Sequence, residues 1–599
     1  MEFLTQNFVP LMFAGLLVFL LDGFPVVFGL AATGLFFGFI GMEAGMFPEA
    51  LFQALPLRIF GIMQNETLLA IPFFCCMGIV LERSGLAEDL LETIGQVFGT
   101  VRGGLIQAVI FVGALLAATT GVVSAAVISM GLISLPVMLR YGYNPGIAAG
   151  AINASGVLTQ VIPPSVILIV LGDQLGRSVG DMYAGVLVPG LMQVGLFSAF
   201  IMILAVVRPN WVPALPPEAL IYKEANGASG HKSLLVLVVI STVAALVWAA
   251  FHGAIINPLV GRTEPAPTDE IVVLSTTIGV LTALVLALVN RALRLGLLSM
   301  LSERVTFVLI PPLILIFLVL GTIFLGVATP TEGGAMGAIG ALVMAVSRRR
   351  LSFVLLKEAL ENTTRVTCFI MFILIGATIF SFTFNAANGS AWVIHLFDKL
   401  PGGTLGFLIV VNILIFVLGC FIDFFEIAFI VMPLLVPVAS KMGIDLVWFG
   451  IILTMNLQTS FLTPPFGFAL FYLRSVAPSE DYNDRVTHRR IPAVTTAQIW
   501  KGGIPFIILQ IAMVVAVMAY PNLVTDRLHK GPAVNLESIQ LQVEPGGDYG
   551  NAEEDPMKAF APPAAEGQAA PQAGGASKEK EEDPTEAVMR ALERDAKKK

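Results

Sequence analysis

Two Pro-Pro pairs, Pro163-Pro164 and Pro464-Pro465, lie 301 residues apart, each inside a strongly apolar stretch. Small and hydroxyl-bearing residues precede both: Ser155, Gly156 and Thr159 before the first, and Asn456, Thr459, Ser460 and Thr463 before the second. A proline pair within an apolar helix removes two backbone donors and disrupts the ladder of the preceding turn. Carbonyls freed at membrane depth are tolerated where they line a cavity or are buried in protein. Freed carbonyls together with hydroxyl oxygens suit a small hard cation such as sodium, and the positive ends of half-helices suit an anion. One such helix alone is more simply a kink packed by its neighbours. Two of them at one fixed offset favour a binding site.

The same offset of 301 relates Pro136 to Pro437, Arg140 to Lys441, Gly142 to Gly443, Asn144 to Asp445, Ser155 to Asn456 and Thr159 to Ser460. Such self-similarity marks an internal repeat. Each Pro-Pro helix (145–172 and 446–473) follows an apolar run, 104–139 or 403–440, far longer than the roughly 20 residues that span a bilayer core. Weak points at Thr119-Thr120-Gly121 and at Gly419 divide these runs, so each reads as a hairpin that enters the membrane and returns on the same side. Lys and Arg collect on the cytoplasmic side of short loops. With Arg348-Arg349-Arg350 inside and both runs re-entrant, Arg140 falls inside and Lys441 outside, so the two copies have opposite orientation. Inverted repeats with interrupted helices are characteristic of secondary transporters.

Asp423 and Glu426, just past the second hairpin tip, share one helix face by their spacing of three. A carboxylate at membrane depth is costly and usually functional. The readings are a cation ligand, a proton carrier, a gate partner, or merely solvated groups in a wet hairpin mouth. Glu332, in Thr329-Pro330-Thr331-Glu332, is better placed to cap a helix. Ser124, beyond the first tip, joins Ser155, Gly156, Asp423, Glu426, Asn456 and Thr459 as substrate or gating candidates. Amphipathic stretches at about 86–99 and 352–363 precede the long runs and read as helices lying in the membrane interface or as ordinary helices packed on the bundle.

Composition agrees with this setting. Of 599 residues, 56% are hydrophobic and 13% charged, with mean hydropathy +0.85, which excludes an ordinary soluble assembly. The net charge of −8 gives no basic footprint for nucleic acid. The four cysteines, Cys75, Cys76, Cys368 and Cys420, have no CxxC spacing and read as packing residues. HExxH is absent, no GxSxG has a plausible histidine partner, and none of the five histidines falls in the paired breaks, so an intramembrane enzyme is a remote reading. The expected fold is an all-α polytopic membrane protein of two inverted repeats, 1–207 and 305–520. Between them lies an inserted region, 208–304, with an extra helix pair. The stretch 521–599, which holds 15 of the 42 acidic and 10 of the 34 basic residues, is expected to be mostly disordered.

In order along residues 1–520, several motifs resemble the large membrane (M, DctM-like) subunit of tripartite ATP-independent periplasmic (TRAP) transporters. They are Leu68-Leu69-Ala70-Ile71-Pro72-Phe73-Phe74, the Thr120-Gly121 tip, Ala154-Ser155-Gly156 to Ile162-Pro163-Pro164-Ser165, Thr329-Pro330-Thr331-Glu332, Asp423, and Asn456 to Thr463-Pro464-Pro465. The resemblance implies an elevator-type secondary transporter of the bacterial inner membrane, driven by a sodium gradient. Its partners would be a small four-helix membrane subunit, expected as a separate chain, and a periplasmic substrate-binding protein that delivers an organic acid. By position, a first sodium site would involve Thr120, Gly121, Thr159, Ile162 and Pro164. A second would involve Gly419, Ser460, Thr463 and Phe466, and the amphipathic stretches 86–99 and 352–363 would be arm helices. Thr159 stands where many members have Gly, and Asp423-Phe424-Phe425 where many have Asp-Pro-Thr. The extra helix pair is similar to the branch associated with mannitol, chloroaromatic compounds and 2-oxo acids, which implies a monocarboxylate or aromatic carboxylate cargo. A proton-coupled or stand-alone anion carrier of a related fold is the alternative.

Overall fold

The computed structural model describes residues 7–528 apart from 220, 223–229, 261–265, 267, 325, 485 and 527. Three helices open the chain: α1 (Phe8–Leu21), α2 (Val26–Glu43) and α3 (Leu55–Met63). The first copy runs through α4 (Ala70–Arg83), α5 (Leu86–Phe98), α6 (Gly104–Thr120), α7 (Val123–Arg140), α8 (Pro145–Val157), α9 (Val166–Leu175) and α10 (Val179–Val207). The insertion supplies α11 (His231–Val260) and α12 (Thr268–Ala292), which pack on each other and on α13 (Met300–Phe324). After α14 (Pro330–Ser347) come α15 (Phe353–Ala386), α16 (Gly389–Asp398) and α17 (Gly403–Leu418). Next are α18 (Phe424–Ile430), α19 (Met432–Lys441), α20 (Leu446–Leu462), α21 (Phe468–Val476), α22 (Thr496–Ala519) and the turn α23 (Asn522–Thr525). Two-residue strands, β1 (Tyr482–Asn483) and β2 (Arg490–Ile491), form a small antiparallel ribbon before α22. Of the stretch expected to be disordered, residues from 529 onward lie outside the described residues.

Among the described residues, eight helices are long and apolar enough to cross a membrane, and up to eleven spans result if each bent pair counts as one. Shifting α5 to α9 by 301 lands on α16, α17, α18–α19, α20 and α21, with boundaries agreeing within a few residues. Equivalent caps start equivalent helices. Asn144 Oδ1 accepts from Gly146 N and Ile147 N at the head of α8, with Pro145 at the first position, and Asp445 Oδ1 accepts from Trp448 N at the head of α20.

One element differs from the sequence expectation. The stretch 352–363 is not a separate arm helix but the first third of α15, a 34-residue helix that no proline interrupts. The short helix before the second hairpin is α16, where the shifted copy of α5 falls. The chain turns into it through Asn388, whose φ of 55° is left-handed. The first stretch does form its own helix, with Leu86, Leu90, Leu91 and Ile94 buried and Glu88 and Glu92 exposed. Its Asp89 receives Arg348 at 2.8 Å and Arg350 at 3.4 Å, with Arg304 at 3.7 Å. Basic residues assigned to one side by the charge rule thus gather around one carboxylate.

The copies interlock reciprocally. The second half of the first broken helix, α9, packs on α18 and α19 of the second hairpin. The second half of the other, α21, packs on α7 of the first hairpin, where Gly131 leaves room for Leu473 and Val476. The backbones of α8 and α22 approach closely where they cross. A methyl group on Gly150 would run into the carbonyl of Gly502, and one on Gly502 into that of Gly146. Small residues let backbones approach this closely.

Candidate functional site

Both Pro-Pro pairs fall in non-helical gaps, 161–165 and 463–467, and both Pro-Pro peptide bonds are cis. Each gap meets the tip of its own hairpin. In the first copy α6 ends on Gly121, whose φ of 62° belongs to the left-handed region that glycine reaches without strain. A methyl there would stand 3.2 Å from Val166 Cγ2, so the tip abuts the first residue of α9. The side chain of Thr120 lies outside the described residues. Ser155 and Gly156 are held between the two hairpin limbs, Ser155 against Gly113 of α6 and Gly156 against Val127 of α7. Ser155 is fully buried, and among the described residues its Oγ has no hydrogen-bond partner. Thr159 Oγ1 donates to Gly156 O at 2.9 Å, which leaves its oxygen lone pairs uncommitted as acceptors.

In the second copy Gly419, at the end of α17, lies on Ser460; a methyl on it would collide with the serine hydroxyl. Ser460 Oγ donates to Leu457 O at 2.8 Å, Thr459 Oγ1 to Met455 O at 3.1 Å, and Thr463 Oγ1 to Thr459 O at 2.8 Å. Asn456 Nδ2 donates to Asn412 O at 2.6 Å, joining α20 to the first limb of its hairpin. The Phe421 ring of the tip lies 4.9 Å from that of Phe466 in the gap. Of the expected residues, the structure therefore brings Gly121, Ser155, Gly156 and Thr159 to one tip and gap, and Gly419, Asn456, Ser460, Thr463 and Phe466 to the other. Ser124 is half-buried in the first turn of α7.

The two gaps differ in exposure. Thr159, Pro163 and Pro164 are buried and Ile162 is half-buried, whereas Pro465 and Phe466 are exposed. The first gap is also braced from within: Ser165 Oγ donates to Gln160 O at 3.1 Å, and Tyr183 OH reaches Ser165 O at 3.4 Å.

Asp423 and Glu426 do share one helix end, in a capping arrangement. Asp423 is the N-cap of α18 and its N–H donates to Glu426 Oε2 at 3.1 Å. Glu332 caps as expected: its Oε2 accepts from Thr329 N at 2.8 Å, and its N–H donates to Thr329 Oγ1 at 3.2 Å.

Three features escaped the sequence reading. Asn412 carried a signal, being a polar residue within an apolar limb. Tyr183 carried none. The third is a link between the loop after α3 and the end of α9, where Asn65 Nδ2 donates to Asp173 Oδ1 at 2.7 Å. Asn65 Oδ1 accepts from Thr67 N at 3.0 Å, and Thr331 Oγ1 holds the same loop through Glu66 O at 2.6 Å, so the amide is presented in a fixed orientation.

The chain matches the family model of the tripartite ATP-independent periplasmic transporter, DctM component, over residues 13–523. It is 27% identical over 425 residues to a C4-dicarboxylate TRAP transporter large permease protein of Pseudomonas aeruginosa, covering 71% of this chain and 81% of that one. It is 25% identical over 467 residues to a sialic acid TRAP transporter large permease protein of Vibrio cholerae, covering 77% and 88% respectively. An isethionate TRAP transporter permease protein of Oleidesulfovibrio alaskensis is 25% identical over 470 residues, and the alignment covers 78% of this chain and 60% of that longer protein. These relatives are named as permeases and not as enzymes. Two hairpin tips seated on two broken helices in a multi-pass helical body, together with a family match spanning most of the sequence, lead to one assignment: the chain belongs to the DctM family, the large inner-membrane permease subunits of TRAP transporters.

Proposed function

We propose that this permease imports an organic acid down a sodium gradient, with the two hairpins and broken helices moving as one body against the remaining helices in an elevator motion. The observation that carries the reading is the pairing of each hairpin tip with its own Pro-Pro gap, Gly121 on Val166 and Gly419 on Ser460. Hydroxyl and carbonyl oxygens collect at both gaps, the hard donor type that sodium prefers. Thr159, Gly121, Ile162 and Pro164 would serve one ion, with Thr120 beside them, and Ser460, Thr463, Gly419 and Phe466 the other. The cargo would lie between the gaps, near Ser124, Ser155, Gly156, Asn456 and Thr459. An anionic cargo is supported by the relatives' names, since C4-dicarboxylates, sialic acid and isethionate are all organic anions. Within that class a monocarboxylate or aromatic carboxylate is our preferred cargo. A periplasmic binding protein would deliver it, and a separate four-helix membrane subunit would complete the complex.

Uptake into proteoliposomes holding both membrane subunits, with the binding protein outside, tests the coupling. Uptake that follows an imposed sodium gradient and collapses when sodium is equal on both sides supports it. Uptake indifferent to sodium removes it. A proton-coupled carrier is the second reading, motivated by Asp423 and Glu426. It requires uptake to follow a pH gradient in the absence of sodium and to fail when Asp423→Asn and Glu426→Gln are combined.

A further inference from the structure

A cavity of about 290 Å3 opens between α5, α6, α7 and the segment that follows α10. It lies at the base of the first hairpin, away from the tip and the Pro-Pro gap. Its volume is about ten times that of a water molecule in the liquid. The wall supplied by Leu215, Ala219 and Ile221 is fastened in place. Gly103 N donates to Val212 O and Leu215 N to Gly99 O, each at 2.8 Å. The Gln96 amide clasps the same segment twice, donating to Ala219 O at 3.2 Å and accepting from Ile221 N at 2.9 Å. The space is therefore bounded by bonded backbone, not by a loosely placed loop.

Its lining is divided chemically. Leu91, Leu105, Val109, Met138 and Leu215 make the interior apolar. Ser134 interrupts this surface: it is 6% exposed, and among the described residues its Oγ has no hydrogen-bond partner. A serine inside a helix ordinarily turns its hydroxyl back to the carbonyl four residues earlier. Here the hydroxyl makes no such bond. At the mouth, Glu88 and Glu92 stand four residues apart on the exposed face of α5. Two like charges at this spacing disfavour each other unless a cation lies between them. Among the described residues neither has an ion-pair partner, although Asp89 on the same helix is met by three arginines. Arg140 also lines the mouth, with its Nε committed to Asp484. Ser134 lies six residues, about 9 Å of helix, deeper than Arg140.

We infer that this cavity binds an aminophospholipid, phosphatidylethanolamine, of the cytoplasmic leaflet. Its ammonium group lies between Glu88 and Glu92, and its phosphate faces the guanidinium of Arg140. An ester carbonyl accepts from the Ser134 hydroxyl, and the adjoining part of one acyl chain fills the apolar interior. The order of these contacts, from cation to anion to acceptor to hydrocarbon, follows the order of groups along the lipid. Free organic anions are disfavoured by the two carboxylates at the entrance, so the site is separate from the transported cargo and does not depend on how transport is coupled.

Native mass spectrometry of the full chain, delipidated in detergent and titrated with phosphatidylethanolamine, phosphatidylcholine or phosphatidylglycerol of identical acyl chains, tests this. One phosphatidylethanolamine adduct is expected to be retained in preference to the other two lipids. Glu88→Gln combined with Glu92→Gln, both at exposed positions, should lower that preference by about fivefold, the effect of roughly one ion pair. Ser134→Leu should lower retention of all three by filling the space. Equal retention of the three lipids by the unaltered chain overturns the inference, as does an unchanged preference in the double variant. If Ser134→Leu does not fold, the double variant decides alone.

Discussion

Arg140 Nε donates to Asp484 Oδ1 at 2.9 Å, tying the last residue of the first hairpin to a loop 344 residues later. Asp484 is 4% exposed and also accepts from Thr487 N and Thr487 Oγ1, each at 2.7 Å. Burial pushes its carboxyl up, but the Thr487 hydrogen bonds and the Arg140 guanidinium outweigh burial and hold it down at about 2. A lowered carboxyl contributes stability above its unfolded value near 3.9, and that contribution is lost as pH falls toward about 2. Asp484→Asn should therefore lower the melting temperature at neutral pH, costing about 2 kcal/mol. It should also flatten the dependence of melting on pH between about 4 and 2. Melting curves of the two proteins across that range check both; parallel curves would mean the pair contributes nothing.

The Gly150–Gly502 crossing makes a second prediction. Gly150→Ala or Gly502→Ala should destabilise the folded protein by about 1–3 kcal/mol, because the backbones must part to admit one methyl group. Alanine at Gly195, where a Cβ would meet nothing within 4 Å, is the matched control and should leave thermal stability nearly unchanged. Similar losses at all three positions would point to helix-wide effects.

The capping arrangement at Asp423 and Glu426 distinguishes structure from chemistry. Glutamine also fills the third position of a capping box. If Glu426 acts through its bond to Asp423 N, Glu426→Gln should keep near-normal uptake, while Glu426→Ala should lose about 1 kcal/mol of stability. Loss of uptake in Glu426→Gln with unchanged melting would instead assign the carboxylate a part in transport. Measuring uptake and melting on the same preparations separates these outcomes.

Asn65 and Asp173 join the loop after α3 to the far end of the first broken helix. Under an elevator motion this contact must break. Asn65→Cys with Asp173→Cys, in a background lacking the four native cysteines, should lose uptake on oxidation and regain it on reduction. Undiminished uptake by a fully cross-linked protein would show that the two positions stay together throughout the cycle.

Replacing the gap hydroxyls should separate ion affinity from folding. Thr159→Val and Ser460→Ala are each expected to raise the sodium concentration for half-maximal uptake by about tenfold, the loss of roughly one charge-assisted ligand. The melting temperature without sodium should change far less than the sodium-dependent increment.

The features legible in the sequence were those written locally. Pro163-Pro164, Pro464-Pro465, the hairpin lengths and the cap at Thr329 and Glu332 are signals of composition and short spacing. The amphipathic period at 352–363 was real but did not mark a helix end, because nothing there stops the helix. The stop lies just beyond Ala386, at the turn dipeptide Asn388-Gly389. The links Arg140–Asp484 and Asn65–Asp173 were invisible because pairing over hundreds of residues leaves no period to read. The nesting of α9 on α18–α19 and of α21 on α7 was hidden for the same reason.

That nesting bears on how the protein can be made. Neither copy is a closed body: each lends the other the wall that completes it. A fragment ending at residue 207 would hold α7 with the face that Leu473 and Val476 normally cover left bare, and the matching later fragment would bare α18 and α19. The smallest stretch with a finished interior therefore runs from the first hairpin through α21.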